Sequence, residues 1–552
     1  MSAHQSHRLA YRGAAARIVC ALAVSALAFL APRGAFAQQP NSRAFIDSGS
    51  MTVAGYGATA DLDPASDELA SSAMVGRTIE ETLLNLDGAS IDRYVPALAT
   101  SWSANADKSV WTVHLRHGVK FHTGRCCLTA DDVKYSLGRS VAAGLAGSYM
   151  LGRFLDSKNP FKQIKVVDPY TVEFDLGRPQ PVFAGALAQD YNALILDSQD
   201  AKRHATKADP WAHNWVTDHD LGTGPYMLQS WSHGQQVVLT RFKDYWGGWS
   251  GAHFSTIYIR SVPEPTTRRE LVERGEADIA QNLTPQDYDQ LKSNSKVKVV
   301  VGPTTEVEYL PMTEWGPLAS PYARQALSYA FNYDAYIKAA YRQYAKRAYG
   351  PLASTLLGYD PHMFHYQTDL NKARALLAKA GVKPGTTLTY AYSSGLQNFQ
   401  IAGGILQAQL AQLGITLKIQ SMDEATFNGV FYGNEAPSKR PNIMEFGWWP
   451  DYNDPYDESV NLVASYAAGS AGANAGFYHN KQVDALLAEM KNGSREVLIA
   501  DAKKLQDITG RQDPPCIWLD EPLQVVVTAG SLKGLIINPL TIGTYDFYAL
   551  HR

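Results

Sequence analysis

The run GWWPDYNDPYD, residues 447–457, sets two indoles, two phenols and three carboxylates around two prolines. Aspartates can act as general acids or bases, ligate metals or pair with a cation, and their neighbours decide among these roles. A carboxylate pressed against tryptophan loses its water, and that cost is recovered only when a cation or several donors meet it. Indole faces attract the same cations. The chemistry this favours is capture of an ammonium group by Asp451, with Trp448 and Trp449 as apolar walls. The alternative from residue types alone is a turn, in which Asp451, Asn453 and Asp454 fold the chain before Pro455 and the tryptophans enter the core.

Other motifs compete poorly. Gly55-x-Gly57-x-x-Ala60 follows a strand as a dinucleotide fingerprint does, yet Leu62-Asp63-Pro64 interrupts the helix that would receive a pyrophosphate. His362-x-x-His365 lies in a loop rich in proline and aromatic residues, with no third ligand nearby in sequence. The chain has no nucleophile elbow, Walker loop or paired-cysteine zinc pattern, so no catalytic residue, cofactor or metal is expected. Glu445 and Asp451 are two carboxylates that a hydrolase of peptides or glycans could use as acid and base. On an extended strand, however, positions six apart stand roughly 20 Å from each other.

The elements that must position Asp451 are those of an exported α/β protein. With 552 residues, 45% of them hydrophobic and 19% charged, the chain should divide into about three domains. Arg8, Arg12 and Arg17 precede an apolar run at 18–31, followed by Ala35-Phe36-Ala37. This predicts a secretory signal over residues 1–37, cleaved after Ala37, and a periplasmic protein. The run is too short to span a membrane, and Cys20 is placed too early to be a lipidation site. The leader takes four of the 50 basic residues and none of the 53 acidic ones, which leaves a formal charge of −7 and argues against nucleic acid or anionic membrane as partners. Cys126, Cys127 and Cys516 remain, an odd number that leaves at least one thiol unpaired within the chain. Adjacent cysteines rarely bridge each other, so a pairing of Cys516 with one of them stays open.

Periodicity predicts a strand at 50–54, a helix at 67–84 and a strand at 110–116. Thr129 with Asp132 forms a capping box at the start of a helix, and two alternating runs around His233-Gly234 read as a hairpin. From about Ser320 the pattern turns to longer helices, one opened by Ser320-Pro321, one at 371–380 stopping at Gly381, and one at 398–413 stopping at Gly414. Strands at 387–394, 416–421 and 442–449 interleave with them, which predicts a parallel or mixed sheet with Trp448 and Asp451 at its carboxyl edge. Residues 516–529 read as one extended run crossing between domains, and 467–476 as a flexible loop.

Five segments, in chain order, carry a family resemblance: YVPALATSWSANADKSVWTVHLRHGVKFHTGRCCLTADDVKYSLGR, GTGPYMLQSWSHGQQVVLTRFKDYWGG, DLNKARALLAKAG, GWWPDYNDP and GFYHNKQVDALLAEM. They resemble the family 5 extracellular solute-binding proteins of ABC importers, the dipeptide and oligopeptide binders, over nearly the whole mature chain. Cys126-Cys127 departs from the family, which usually has a polar residue and a proline there. The resemblance implies an α/β fold like the type II periplasmic binding proteins, with two lobes, a hinge and an extra inserted domain, the three-domain cluster C type. Lobe I would combine 38–90, 216–306 and 518–552, the inserted domain would be 91–215, and the ligand-binding lobe 307–517.

In this family the lobes close on a small solute, here expected to be a di- or oligopeptide, and deliver it unaltered to permease subunits in the inner membrane. The protein is expected to be a monomer without enzymatic activity. The aspartate three residues after Gly-Trp pairs with the peptide α-ammonium in the relatives, and Asp451 holds that position. Trp448 matches a pocket aromatic, Trp449 adds a second wall, Tyr452 and Asn453 supply hydrogen bonds, and Tyr56 approaches from the opposite lobe. Some oligopeptide binders carry an arginine two residues before Gly-Trp to receive a carboxylate, and Glu445 stands there instead. A cationic end of the ligand therefore fits while its other end is open. A non-peptide cationic solute is an alternative within the family, and an exported hydrolase or a periplasmic chaperone are alternatives outside it.

Overall fold

The structure, a computed structural model, describes residues 50–55, 59–66 and 69–552. The leader, Tyr56 and most of the glycine-rich segment around it lie outside the described residues. The largest sheet has seven strands gathered from distant stretches, in the order Val297–Gly302, Gln524–Ala529, Ile279–Ala280, Ser50–Gly55, Thr256–Ser261, Gln236–Arg241 and Tyr226–Ser232. Ser50–Gly55 runs parallel to both of its neighbours and is buried along its whole length. Burial on both faces explains why it reads as a near-continuous apolar run and not as an alternation. The predicted hairpin turns at Gly234, whose φ of +72° suits glycine.

A second sheet is antiparallel throughout and contains Ala345–Arg347, Cys516–Pro522, Val307–Pro311 and Phe446–Trp448. Two chain crossings join it to the first. Val297–Gly302 passes to Val307–Pro311 through residues 303–306, and Cys516–Pro522 passes to Gln524–Ala529 through Leu523 alone. The extended run expected at 516–529 is therefore two strands in two sheets. A third, antiparallel sheet of Ala99–Ala104, Val110–Leu115, Thr171–Asp175 and Ile164–Asp168 is covered by helix Ala130–Ala142, which opens on the expected Thr129–Asp132 capping box. One apolar cluster runs from Phe154 and Phe183, beside this third sheet, to Tyr309, Tyr452 and Trp518 in the second. The two regions are packed against each other.

Four expectations need correction. The helix expected to reach residue 84 ends at Ile79. The Gly224 amide donates to the Ile79 carbonyl at 2.9 Å, and a Cβ on Gly222 would stand 1.8 Å from that same oxygen. A close backbone approach that only glycine allows thus takes over where helical periodicity continued. Of the strand expected at 442–449, only Phe446–Trp448 pairs, as an antiparallel edge strand against Val307–Pro311. In this half of the chain the parallel pair of strands is Thr387–Ser393 with Thr416–Met422, and Ile443 makes single bridges, parallel to Tyr390 and antiparallel to Met312. The stretch 467–476 is not loose, because the Asn474 side chain donates to the Ala464 and Tyr478 carbonyls and accepts from the Tyr478 amide. Finally, Cys126 and Cys127 are joined to each other, and Cys516 is free and buried.

Buried acids hold the sequence-distant parts together. Thr223, Tyr245 and Trp246 all donate to Glu81, and the Arg116 guanidinium lies 3.7 Å from the centre of the Trp246 ring. Arg139 donates two 2.6 Å hydrogen bonds to Asp63, with both side chains fully sealed from solvent, and His213 Nδ1 reaches the same carboxylate at 2.8 Å. Burial raises the Asp63 carboxyl, but the Arg139 and His213 hydrogen bonds outweigh it and hold the pKa below the usual value. Replacing Arg139 by Met strands a buried charge, which should cost about 3 to 5 kcal/mol. Urea unfolding should show this loss, and Asp63→Leu added to the variant should restore much of it.

Candidate functional site

The three aspartates of the opening stretch divide their work. Trp448 ends the edge strand, pairs with Val307 and stacks on Phe446, with ring centres 6.3 Å apart. After Pro450 the chain turns into helix Pro455–Val463. Asp454 caps that helix by accepting from the Tyr456 amide at 3.0 Å, and its other oxygen takes Arg153 at 2.9 Å from beside the third sheet. Asp457, in the first helical turn, reaches back to accept from the Asp451 amide at 2.8 Å. Two aspartates thus fix the loop. The third, Asp451, lines a small cavity that is partly open to solvent.

This cavity draws on four stretches of chain, with Leu86 and Tyr94 on one side, Gly185 and Asp190 on another, Asp451 and Tyr452 on a third, and Thr544 near the C-terminus. Tyr149 donates to Asp451 Oδ1 at 3.5 Å. Asp190 is held by Arg77 at 2.6 Å and accepts from the Thr544 hydroxyl at 3.4 Å. Gly185 has no room for a side chain, because an added Cβ would stand 2.9 Å from the Tyr94 hydroxyl oxygen and 3.1 Å from Tyr452 Cβ.

The remaining predicted residues are less uniform. Tyr452 lines the cavity but is nearly buried, its ring packed on Phe154 with 5.3 Å between centres. Trp448 packs partly against the core, with its indole N–H buried and unpartnered among the described residues. Trp449 is half-buried. Asn453 faces away from the cavity's lining set and accepts from the Leu357 amide at 2.8 Å, the turn role of the alternative reading. Glu445 is buried, accepts from the Ser393 amide at 3.3 Å, and burial pushes its carboxyl up to about 8. Tyr56 is outside the described residues.

Sequence reasoning missed several other acids. Glu306 lies on the first chain crossing, where burial and then the Glu308 charge push it up to about 8. Glu308 accepts from Tyr336 and Asn398, and burial raises both it and the facing Asp520. Glu458 is fully buried, and burial followed by the charges of Asp457, Asp451 and Glu306 drives it well above the usual range. A signal was present: Thr-Glu-Val-Glu-Tyr-Leu puts an acid at alternate positions of an otherwise apolar strand. Among the described residues no group of three or more His, Cys, Asp or Glu could hold a metal ion, and no helix is long and apolar enough to cross a membrane.

Comparison with known proteins agrees with this architecture. The family model for "Bacterial extracellular solute-binding proteins, family 5 Middle" matches residues 93–470. The chain is similar to the probable D,D-dipeptide-binding periplasmic protein DdpA of Escherichia coli, with 30% identity over 82% of this chain and 84% of that protein. It is 29% identical to the glutathione-binding protein GsiB of Pectobacterium atrosepticum, over 88% of this chain and 91% of that one. Its fold is that of the Helicobacter pylori periplasmic binding protein DppA, solved in complex with the peptide STSA, with a TM-score of 0.76, 24% identity, and coverage of 91% and 98% of the two chains. With the match extending over most of its length and through the loop that carries Asp451, the chain belongs to the bacterial extracellular solute-binding proteins of family 5.

Proposed function

We propose that this chain is the periplasmic receptor of an ABC importer, closing on a small solute with a free ammonium group and passing it unaltered to permease subunits. A di- or oligopeptide is the solute that fits best, since the relatives are named for a D,D-dipeptide and for glutathione and a solved neighbour holds a peptide. The leader over residues 1–37 directs export. Lobe I is 38–90, 216–306 and 523–552, with 91–215 inserted and 307–522 forming the ligand lobe, the boundary expected at 517 moving to 522 because strand Cys516–Pro522 pairs wholly within the second sheet. The seven-stranded sheet supports this division, because it takes strands from all three stretches assigned to lobe I. The observation that carries the reading is the division of labour at 451–457: Asp454 and Asp457 brace the loop, and Asp451 is the one that lines the cavity.

An ion pair desolvated by lobe closure sets the size of the effect. Asp451→Ala should weaken binding of a dipeptide by about 3 to 5 kcal/mol, or about two to three and a half decades in Kd. Calorimetric titration checks this, and binding equal to wild type removes the assignment. N-acetylation of the peptide should cost a similar amount in wild type and little more in the variant. Small-angle X-ray scattering should show the radius of gyration falling when an amine-bearing ligand is added, with mass spectrometry recovering that ligand uncleaved. Cleavage products would instead point to a hydrolase, and binding of denatured proteins with no preference for short ligands to a chaperone.

The raised carboxyls add a pH dependence. Glu445 and Glu306 titrate near 4.5 in the unfolded chain and near 8 when folded, so the folded state holds the extra protons between those values. Stability from these groups is therefore present below about pH 4.5 and is lost as pH rises through about 8. The thermal midpoint of the ligand-free protein should fall from pH 6 to pH 8.5, and Glu306→Gln together with Glu445→Gln should flatten that fall.

A further inference from the structure

Several buried acids here are answered by an arginine. Asp63 has Arg139, Asp454 has Arg153, Asp190 has Arg77, and both Asp132 and Asp197 have Arg125. The acids leading from Asp451 toward the chain crossing break that pattern. Among the described residues none of Glu306, Glu308, Glu445, Glu458 and Asp520 has an ion-pair partner. Glu308 belongs to a polar network with Tyr336 and Asn398 and Glu445 has the Ser393 amide, so the fold itself accounts for these two, while Asp520 faces Glu308 across the second sheet with neither oxygen hydrogen-bonded among the described residues. The fold does not account for Glu458 and Glu306.

Both Glu458 oxygens are sealed from solvent with no hydrogen-bond partner, in reach of the charges of Asp451 and Glu306. The buried Tyr309 hydroxyl, which feels the Glu458 charge, and the Trp448 indole N–H are likewise unpartnered. Glu306 receives no hydrogen bond at its carboxyl from any described residue. Its Oε1 occupies the space that a side chain at position 447 would need, 2.9 Å from where a Gly447 Cβ would stand. The backbone is thus shaped to keep this carboxylate beside the Trp448 strand. A sealed carboxyl without donors at Glu458, beside the half-buried Glu306 and a third carboxylate that lines a cavity, is costly unless it keeps its proton or positive charge is brought to it.

We propose that Glu306 and Glu458 form a second cation subsite beside Asp451, so that the solute carries two positively charged nitrogens, one at Asp451 and a second ammonium or guanidinium at this pair. The inference rests on the reading of Asp451 given above and narrows the solute to an organic dication, supplied either by a peptide with a basic side chain or by a free diamine.

Calorimetry with Lys-Ala, Ala-Lys, their Nε-acetyl forms and 1,5-diaminopentane tests it. At least one lysine peptide, or the diamine, should bind about tenfold or more tightly than its singly charged acetylated form. That gap should close in the Glu306→Gln/Glu458→Gln protein, while the acetylated form keeps its affinity within about threefold. Gln preserves the shape and neutral charge of a protonated Glu, and the acetylation comparison within wild type needs no variant at all. A gap for the peptides assigns a basic peptide, and a gap for the diamine alone assigns a free diamine. Equal binding of acetylated and free forms, with Asp451-dependent affinity intact, overturns the second subsite only. Absence of Asp451-dependent binding by every probe overturns the subsite together with the Asp451 reading.

Discussion

A carboxylate taken out of water must find donors, find a cation or keep its proton, and this constraint organises the molecule. Where the fold supplies arginine, the acid becomes a bolt. Arg139 on Asp63 and Arg153 on Asp454 each join residues distant in sequence. Where it supplies hydroxyls, an indole or an amide, as around Glu81 and Glu308, the acid becomes the hub of a polar knot. Where it supplies neither, at Glu306 and Glu458, burial raises the carboxyls so that they hold their protons above the usual range.

The rings and carboxylates of residues 447–457 divide along the same line. The loop after Trp448 is braced both by its own residues and by distant ones. Asp454 caps the following helix and takes an arginine, Asp457 grips the Asp451 amide, and Asn453 takes the Leu357 amide. Asp454 caps the helix as a turn residue, Asn453 is tied to the distant Leu357 amide, and Asp451 lines the cavity, where capture of a cation is the function proposed above.

Much of the fold was legible. The capping box at Thr129, the hairpin at Gly234 and the helix begun by Ser320-Pro321 all rest on local chemistry that the chain states outright. What failed to show were features decided by distant backbone. Helical spacing ran past Ile79, but Gly222 and Gly224, more than a hundred residues later, occupy the space. The tail of 442–449 looked like a central strand, yet only three residues pair, at an edge. The acids at the start of the Val307–Pro311 strand and on the crossing before it went unread for a similar reason. Glu306 and Glu308 are far in sequence from Asp451, and only the pairing of Val307 with Trp448 brings them near it.

The separation of bracing residues from charge-bearing ones has a consequence for how such a scaffold diversifies. Asp454, Asp457 and Asn453 belong to the frame and tolerate little exchange, whereas positions 306 and 458 support no neighbour. On the subsite proposed for these positions, substitution there would recast the menu of nutrients without reshaping the vessel.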